Sequence, residues 1–405
     1  MRFLTGEAGC RWAAHSDSGA DRSRRCWASW WRSTAPPVRE RLPRISFFRT
    51  LAAFTFTLVL GCGGSGDSDA DNPLGPDEQG PPLVGTDLDR FRGVSLASAS
   101  GLPTAALEEL VATGVEWIAL IPFGRQPRFD VPEVQLRTTR GHWSQTDAGI
   151  RRIAEIAASA GVRILLKPHI DLVEEIDGQW RGTIAFNSEA DWLRWEEDYR
   201  SFILHYAALA ADSGIELLSV GAELHKVVRQ RPGFWRQLVG DVRQRYGGSL
   251  TYSANWDREF EEVEFWDLLD FIGVHAYFPL TVKMDASIEE LELGWQPHVL
   301  ALEDLTETYG KPVLFTEVGY RSITGAGVDP WDWRVRRSAD GGAEQADAYE
   351  AMFRTFWHRL WFAGLFVWEW DPAGNAANTR FDTGYSPQNK RAAEIMSKWF
   401  THPIG

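Results

Sequence analysis

Cysteine is missing from most of this chain. The 405 residues include three, Cys10, Cys26 and Cys62, all within the first 62 positions. That distribution excludes a disulfide framework, a cysteine-based metal site and a thiol nucleophile from everything that follows. Long apolar runs are scarce too. Leu51 to Gly61 is uncharged but only eleven residues long, too short to cross a bilayer, and no later stretch reads as a transmembrane helix. There is no G-x-S-x-G elbow, which removes the support for a serine triad. Residues 95–103, SLASASGLP, are no glycine-rich phosphate loop, which argues against a doubly wound dinucleotide fold. Positive charge is also in deficit. The formal net charge is −14, and residues 1–61 hold ten arginines against four acids, so the remainder is more acidic than the total suggests. Such a body is a poor partner for nucleic acid or anionic lipid and suits a neutral substrate.

What the chain does have is tryptophan: 20 residues, 16 of them after position 62. Core packing accounts for many. The excess also suits sugar binding, because the C–H faces of pyranose rings stack on indole. At the other end, the basic segment VRERLPR (38–44) precedes SFFRTLAAFTFTLVLG (46–61), the pattern of an export signal. The signal ends in Val59-Leu60-Gly61-Cys62, which resembles the lipobox of bacterial lipoproteins. That resemblance implies lipidation at Cys62 and a protein anchored in the cell envelope, at the periplasm or the surface; ordinary cleavage and secretion is the alternative. Residues 1–37 exceed a normal leading region, so translation starting near Val38 is expected. Residues 63–82, rich in Gly, Asp and Pro, cannot bury enough to fold and read as a tether. The expected layout is an N-terminal extension with signal over 1–61, a flexible linker over 62–88 and one domain over 89–405.

From residue 91 onward, short apolar runs alternate with longer helix-like segments. The runs are 92–97, 115–123, 162–170, 215–224, 250–256, 271–278, 311–320 and 364–370. Between the third and fourth, Trp192, Trp195, Tyr199, Phe202, Ile203 and Tyr206 recur at helical spacing, with Ser188 at an N-cap position and Gly214 just past the end. Segment 144–161 repeats this grammar, with Ile150, Ile153 and Ile156 on one side. Eight strand–helix units predict a parallel sheet closed into a (β/α)₈ TIM barrel.

In such a barrel the C-terminal strand ends line the active site, and two of these runs stop at a glutamate beside a glycine: Glu223 and Glu317. Other strand ends carry Lys167, His169 and Asp171, Asn255 and Trp256, His275 and Tyr277, and Trp368, Glu369 and Trp370. Either histidine alone reads more readily as a satisfied core residue; their joint appearance at equivalent strand ends favours a site. A metal site from His169, Asp171 and His275 matches no zinc signature, and neither metal nor cofactor is expected. Paired carboxylates are what glycoside cleavage needs, one protonating the leaving oxygen while the other meets the oxocarbenium-like state. Tyr277 is placed to orient the nucleophile. The substrate-binding candidates are Arg92, Lys167, His169, Trp180, His225, Asn255, Trp256, Trp368 and Trp370. Loop residues Trp143, Trp180, Trp331 and Trp333 are expected to set substrate choice.

A barrel with glutamates ending strands four and seven resembles the large clan of retaining (β/α)₈ glycoside hydrolases. That resemblance implies Glu223 as acid/base, Glu317 as nucleophile, His275 and Tyr277 as the strand-six pair and Trp368 as the stacking tryptophan. LLKPHI (165–170), EVGYRS (317–322), PWDW (330–333), QADAYEA (345–351), FVWEWDP (366–372) and GYSPQNK (384–390) are similar to glycoside hydrolase family 113. The family implies a β-mannanase acting on a polysaccharide or oligosaccharide, and a monomer is expected. One position departs: the clan has asparagine before its acid/base, where this chain has Ala222. Asn255 or His225 is the expected substitute. A non-catalytic glycan-binding lipoprotein, or a retaining glycosidase acting on another β-glycan, is the alternative reading.

Overall fold

In a computed structural model the chain is described over residues 90–402, apart from 175, 177, 334–341 and 373–381. The expected signal, linker and lipidation site at Cys62 lie outside the described residues. Strands β1 (Phe91–Leu96), β2 (Trp117–Leu120), β4 (Arg163–Leu166), β6 (Leu217–Ala222), β7 (Ser249–Asn255), β8 (Phe271–His275), β9 (Val313–Val318) and β10 (Phe362–Trp370) close into a barrel in the order β1-β10-β9-β8-β7-β6-β4-β2. Every neighbouring pair is parallel. All eight expected strands are present, and the fold is a (β/α)₈ barrel.

Two strands end earlier than the apolar runs suggest. Pro122 and Pro168 interrupt them, since proline has no N–H for the ladder. Beyond these prolines the chain resumes as β3 (Phe123–Gln126) and β5 (His169–Leu172), a separate parallel pair with Phe123 opposite His169. His169 therefore stands on an annex above the barrel wall, one residue beyond the break.

The helices are α1 (Thr104–Ala112), α2 (Asp147–Ser159), α3 (Glu189–Asp212), α4 (His225–Gln230), α5 (Pro232–Arg243), α6 (Glu259–Glu262), α7 (Ile288–Tyr309), α8 (Ala343–Phe356) and α9 (Arg391–Thr401). Helix α3 starts where Ser188 accepts from the Asp191 N–H, and the chain leaves it through Gly214 at φ 67°. Its inner face buries Trp195, stacked on Tyr199 at 4.7 Å between ring centroids, and Trp235 from α5 stacks on Phe265 at 5.3 Å. With Trp266, Trp295 and Trp357 also fully buried, core packing takes a large share of the tryptophans.

Inside the barrel, alternation divides each strand between two cores. Val94 and Leu96 face the helices, whereas Phe91 points inward and meets Trp117 at 4.5 Å and Phe271 at 5.1 Å. Phe366 crosses this plug so closely that a Cβ on Gly93 would lie 2.4 Å from its ring. Arg92 shares the outward parity of Val94 and sits near the N-terminal end of β1. There its Nη1 pairs with Glu116 Oε1 at 2.6 Å, and Arg163 joins the same carboxylate at 3.3 Å. The expectation that Arg92 binds substrate is therefore corrected, because it lies on the wrong end and the wrong face.

Candidate active site

Each glutamate is preceded by a break in strand register. On β9, Leu314 faces the barrel interior and Phe315 the helices. Strict alternation would send residue 317 outward with residue 315. Against β8 and β10 the pairing skips a residue between Phe315 and Val318, a bulge that re-aims Glu317 inward. On β6 a similar shift falls between Ser219 and Ala222. Glu223 then adopts φ 55°, a left-handed conformation that costs a non-glycine residue roughly 1–3 kcal/mol and persists only when its surroundings enforce it. Its N–H donates to the Ser253 carbonyl at 2.9 Å.

The two carboxylates are 2% and 3% exposed and flank one imidazole. His275 Nδ1 lies 3.1 Å from Glu223 Oε1, off the axis of a good hydrogen bond, and Nε2 lies 3.4 Å from Glu317 Oε1. Glu317 accepts from the Tyr277 hydroxyl at 2.9 Å on Oε2 and from the Lys167 ammonium on Oε1. Lys167, wholly buried, also donates to the Thr316 carbonyl at 2.9 Å and lies 3.2 Å from His275 Nε2. An ammonium only donates, so that ring nitrogen accepts and Nδ1–H faces Glu223. Glu223 accepts from the Asn255 amide at 2.9 Å and lies 3.7 Å from Arg181, whose guanidinium also contacts His169 Nδ1.

Burial by itself would raise the Glu223 carboxyl, but His275, Arg181 and the Asn255 amide outweigh it and bring it down to about 2. Burial lowers Lys167, against the pull of Glu317 and Glu223. Burial, then Arg181 and Lys167, drive His169 well below its ordinary range, so it is a neutral acceptor for Arg181. Tyr277 is pushed well above its usual range by burial and Glu317, and stays a proton donor.

Beside the acids stands an aromatic wall. Tyr277, Trp368 and Ile121 form its buried part, with Phe123, Trp256, Trp331 and Tyr385 packed against them. Trp256 and Trp331 lie nearly parallel, 6.5 Å apart.

Two buried carboxylates, an aromatic wall and a (β/α)₈ frame agree with one further finding: the family model of glycoside hydrolase family 113 matches residues 99–390. The chain belongs to glycoside hydrolase family 113. Among solved structures, the family 113 β-mannanase AaManA from Alicyclobacillus acidocaldarius, in complex with ManMIm, is 30% identical. That match covers 79% of this chain and 99% of the other, with a TM-score of 0.66. A family 113 β-1,4-mannanase structure is 25% identical over 77% of this chain and 99% of its own, with a TM-score of 0.64. A family 5 mannosidase from Rhizomucor miehei, 9% identical, covering 77% of this chain and 92% of its own at a TM-score of 0.56, shares the fold. No curated protein matches the chain.

This family 113 glycoside hydrolase gathers Lys167, His169, Glu223, Asn255, His275, Tyr277 and Glu317 into one connected cluster, with Trp256 and Trp368 in the wall beside Tyr277. Two other expected contacts turn away from it. His225 turns to Glu262 at 2.6 Å. Trp370 packs in the helix-side core, because β10 spends one residue more than β1 between Val367 and Trp370, which changes its face. Trp180 lies across Gly182 and heads the short 3₁₀ turn Arg181–Thr183, which delivers Arg181 to the site. Arg181 and Glu259 are the site residues that strand-end reasoning overlooks, since neither ends a strand. Their signal is tertiary: both are charged and buried.

His169, His275 and Glu317 bring donor atoms within 4.8 Å of one another. Lys167 and Arg181, which can only donate, already engage Glu317 and His169, and two cations there oppose a third. Asp171, the other metal ligand considered from sequence, pairs with Arg125 at 3.4 Å.

Proposed function

We propose that this enzyme is a retaining β-1,4-mannanase that cleaves within the chain, with Glu317 as nucleophile and Glu223 as acid/base. The carrying observation is that both carboxylates are buried against the two nitrogens of His275 while Tyr277 and Lys167 both donate hydrogen bonds to Glu317. In the first displacement a Glu317 oxygen bonds to the anomeric carbon as the glycosidic C–O bond breaks, and the leaving oxygen takes the Glu223 proton. Glu223 then removes a proton from water, which attacks the anomeric carbon and releases Glu317. His275, Arg181 and Asn255 favour the ionised form of Glu223, so its role as acid requires it to gain a proton before the first displacement. The mannan assignment is supported by the names of the two family 113 neighbours, and the aromatic wall offers stacking for more than one pyranose ring.

An amide reaches Glu223 although Ala222 supplies none, because Asn255 delivers it from β7. This weakens the reading of a non-catalytic barrel. The test is NMR of the first-formed reducing end: β-configured product is expected, and α-configured product would overturn the double displacement. Glu317→Ala is expected to abolish reducing-sugar release from mannan while mannan binding persists; wild-type turnover in that variant would refute its role. We also propose export and lipid anchoring at Cys62, supported by the basic and apolar segments before it. Cys62→Ser should move the protein from membrane to soluble fractions, and an unchanged distribution would reject the anchor.

A further inference from the structure

We propose that Glu259 is a positioning residue that sets the placement of Glu223 through two relays, an inference that rests on reading Glu223 as the acid/base. Glu223 needs such help. Its backbone is left-handed at φ 55°, and its neighbour Ala222 has no polar side chain to hold it. Three contacts fix it from β7: the Ser253 carbonyl accepts its N–H at 2.9 Å, the Tyr252 hydroxyl accepts the Leu224 N–H at 2.8 Å, and the Asn255 amide donates to its Oε1 at 2.9 Å. The second and third converge on Glu259. Tyr252 donates to Glu259 Oε1 at 2.6 Å, and the Asn255 N–H donates to Oε2 at 2.7 Å. Two of these three contacts thus hang from a single buried carboxyl.

The fold places that carboxyl deliberately. Arg258, also left-handed at φ 68°, turns the chain back under Asn255 at the start of α6, so that Glu259 points inward with no exposed surface. The same four-residue helix holds the segment after Glu223 as well: Glu262 reaches His225 at 2.6 Å and Arg229 at 3.2 Å. Helix α6 therefore grips residues 223–225 from both sides. Burial raises the Glu259 carboxyl to about 8, with Glu223 and Glu262 adding to the rise against the hydrogen bonds of Tyr252 and Asn255. It touches no exposed groove and is not itself a reacting group.

The experiment compares full-length wild type, Glu259→Leu, Tyr252→Phe and Glu223→Ala on β-1,4-mannan and on a dinitrophenyl β-mannobioside, whose leaving group needs no protonation. Glu259→Leu keeps bulk and removes both acceptors. It is expected to lower kcat on mannan on the order of 10²-fold, within the range of general-acid assistance, with KM within about twofold and little change in kcat/KM on the aryl substrate. Tyr252→Phe should show the same pattern more weakly, and decides the matter if Glu259→Leu does not fold. Equal losses on both substrates, or a change in KM alone, would overturn the positioning role. Should Glu223→Ala show the leaving-group dependence and the other two variants not, the Glu259 proposal alone fails. If Glu223→Ala lacks it, the acid/base reading falls and takes this proposal with it.

Discussion

The two ends of the barrel put opposite chemistry at equivalent inward positions. Toward the N-terminal end Phe91, Trp117, Leu165, Leu217, Leu314 and Phe366 fill the interior, and charge is confined to the rim, where Arg92 and Arg163 share Glu116. Toward the C-terminal end the same strands turn inward Lys167, Ser219, Ser253, His275 and Glu317, all buried. Buried ions are costly unless paired, and here each has a partner of opposite charge or a hydrogen bond. The lower end supplies stability that the upper end, built for chemistry, cannot. It works as ballast for a mouth that carries strain.

The contrast can be broken from either side. Phe366→Ala should lose about 3–5 kcal/mol of stability, read as a lower denaturation midpoint, while kcat per folded molecule stays near wild type; a large kcat loss at unchanged stability would erase the division. A smaller effect is expected at the upper end from Glu259. Its carboxyl is raised to about 8 by burial, so its contribution to stability is whole below about 4.5 and is lost as pH rises through about 8. Tm should therefore fall across that window, and Glu259→Gln, which cannot ionise, should flatten the fall by an amount on the order of a few kcal/mol. An identical slope in both proteins would place the ionised form elsewhere. The smallest effect belongs to Arg92→Ala. A rim ion pair is worth about 1 kcal/mol or less, and KM for mannan should not move; a raised KM would return Arg92 to the substrate.

Much of the frame was legible because apolar runs and helical spacing are dictated by burial. The eight strands and the helix from Ser188 to Gly214 follow directly from those patterns. The glutamates were legible as strand-end residues, but their orientation was not: the bulges before Glu223 and Glu317 depend on how three strands pair, and a single strand's sequence carries no such signal. The prolines at 122 and 168 did carry one, and they mark where β2 and β4 leave the barrel. Arg181 and Glu259 escaped notice because a charged residue off a strand end reads as solvated surface until the surrounding layers bury it. Trp370 looks like a second strand-end tryptophan in sequence, and the irregular register of β10 against β1 is what turns it to the helix side.

The single imidazole between the two acids ties their positions together. His275 stands within reach of Glu223 on one nitrogen and of Glu317 on the other, with Lys167 against the same ring. Whatever displaces the ring moves a neighbour of both carboxylates, so neither acid can be repositioned without the other.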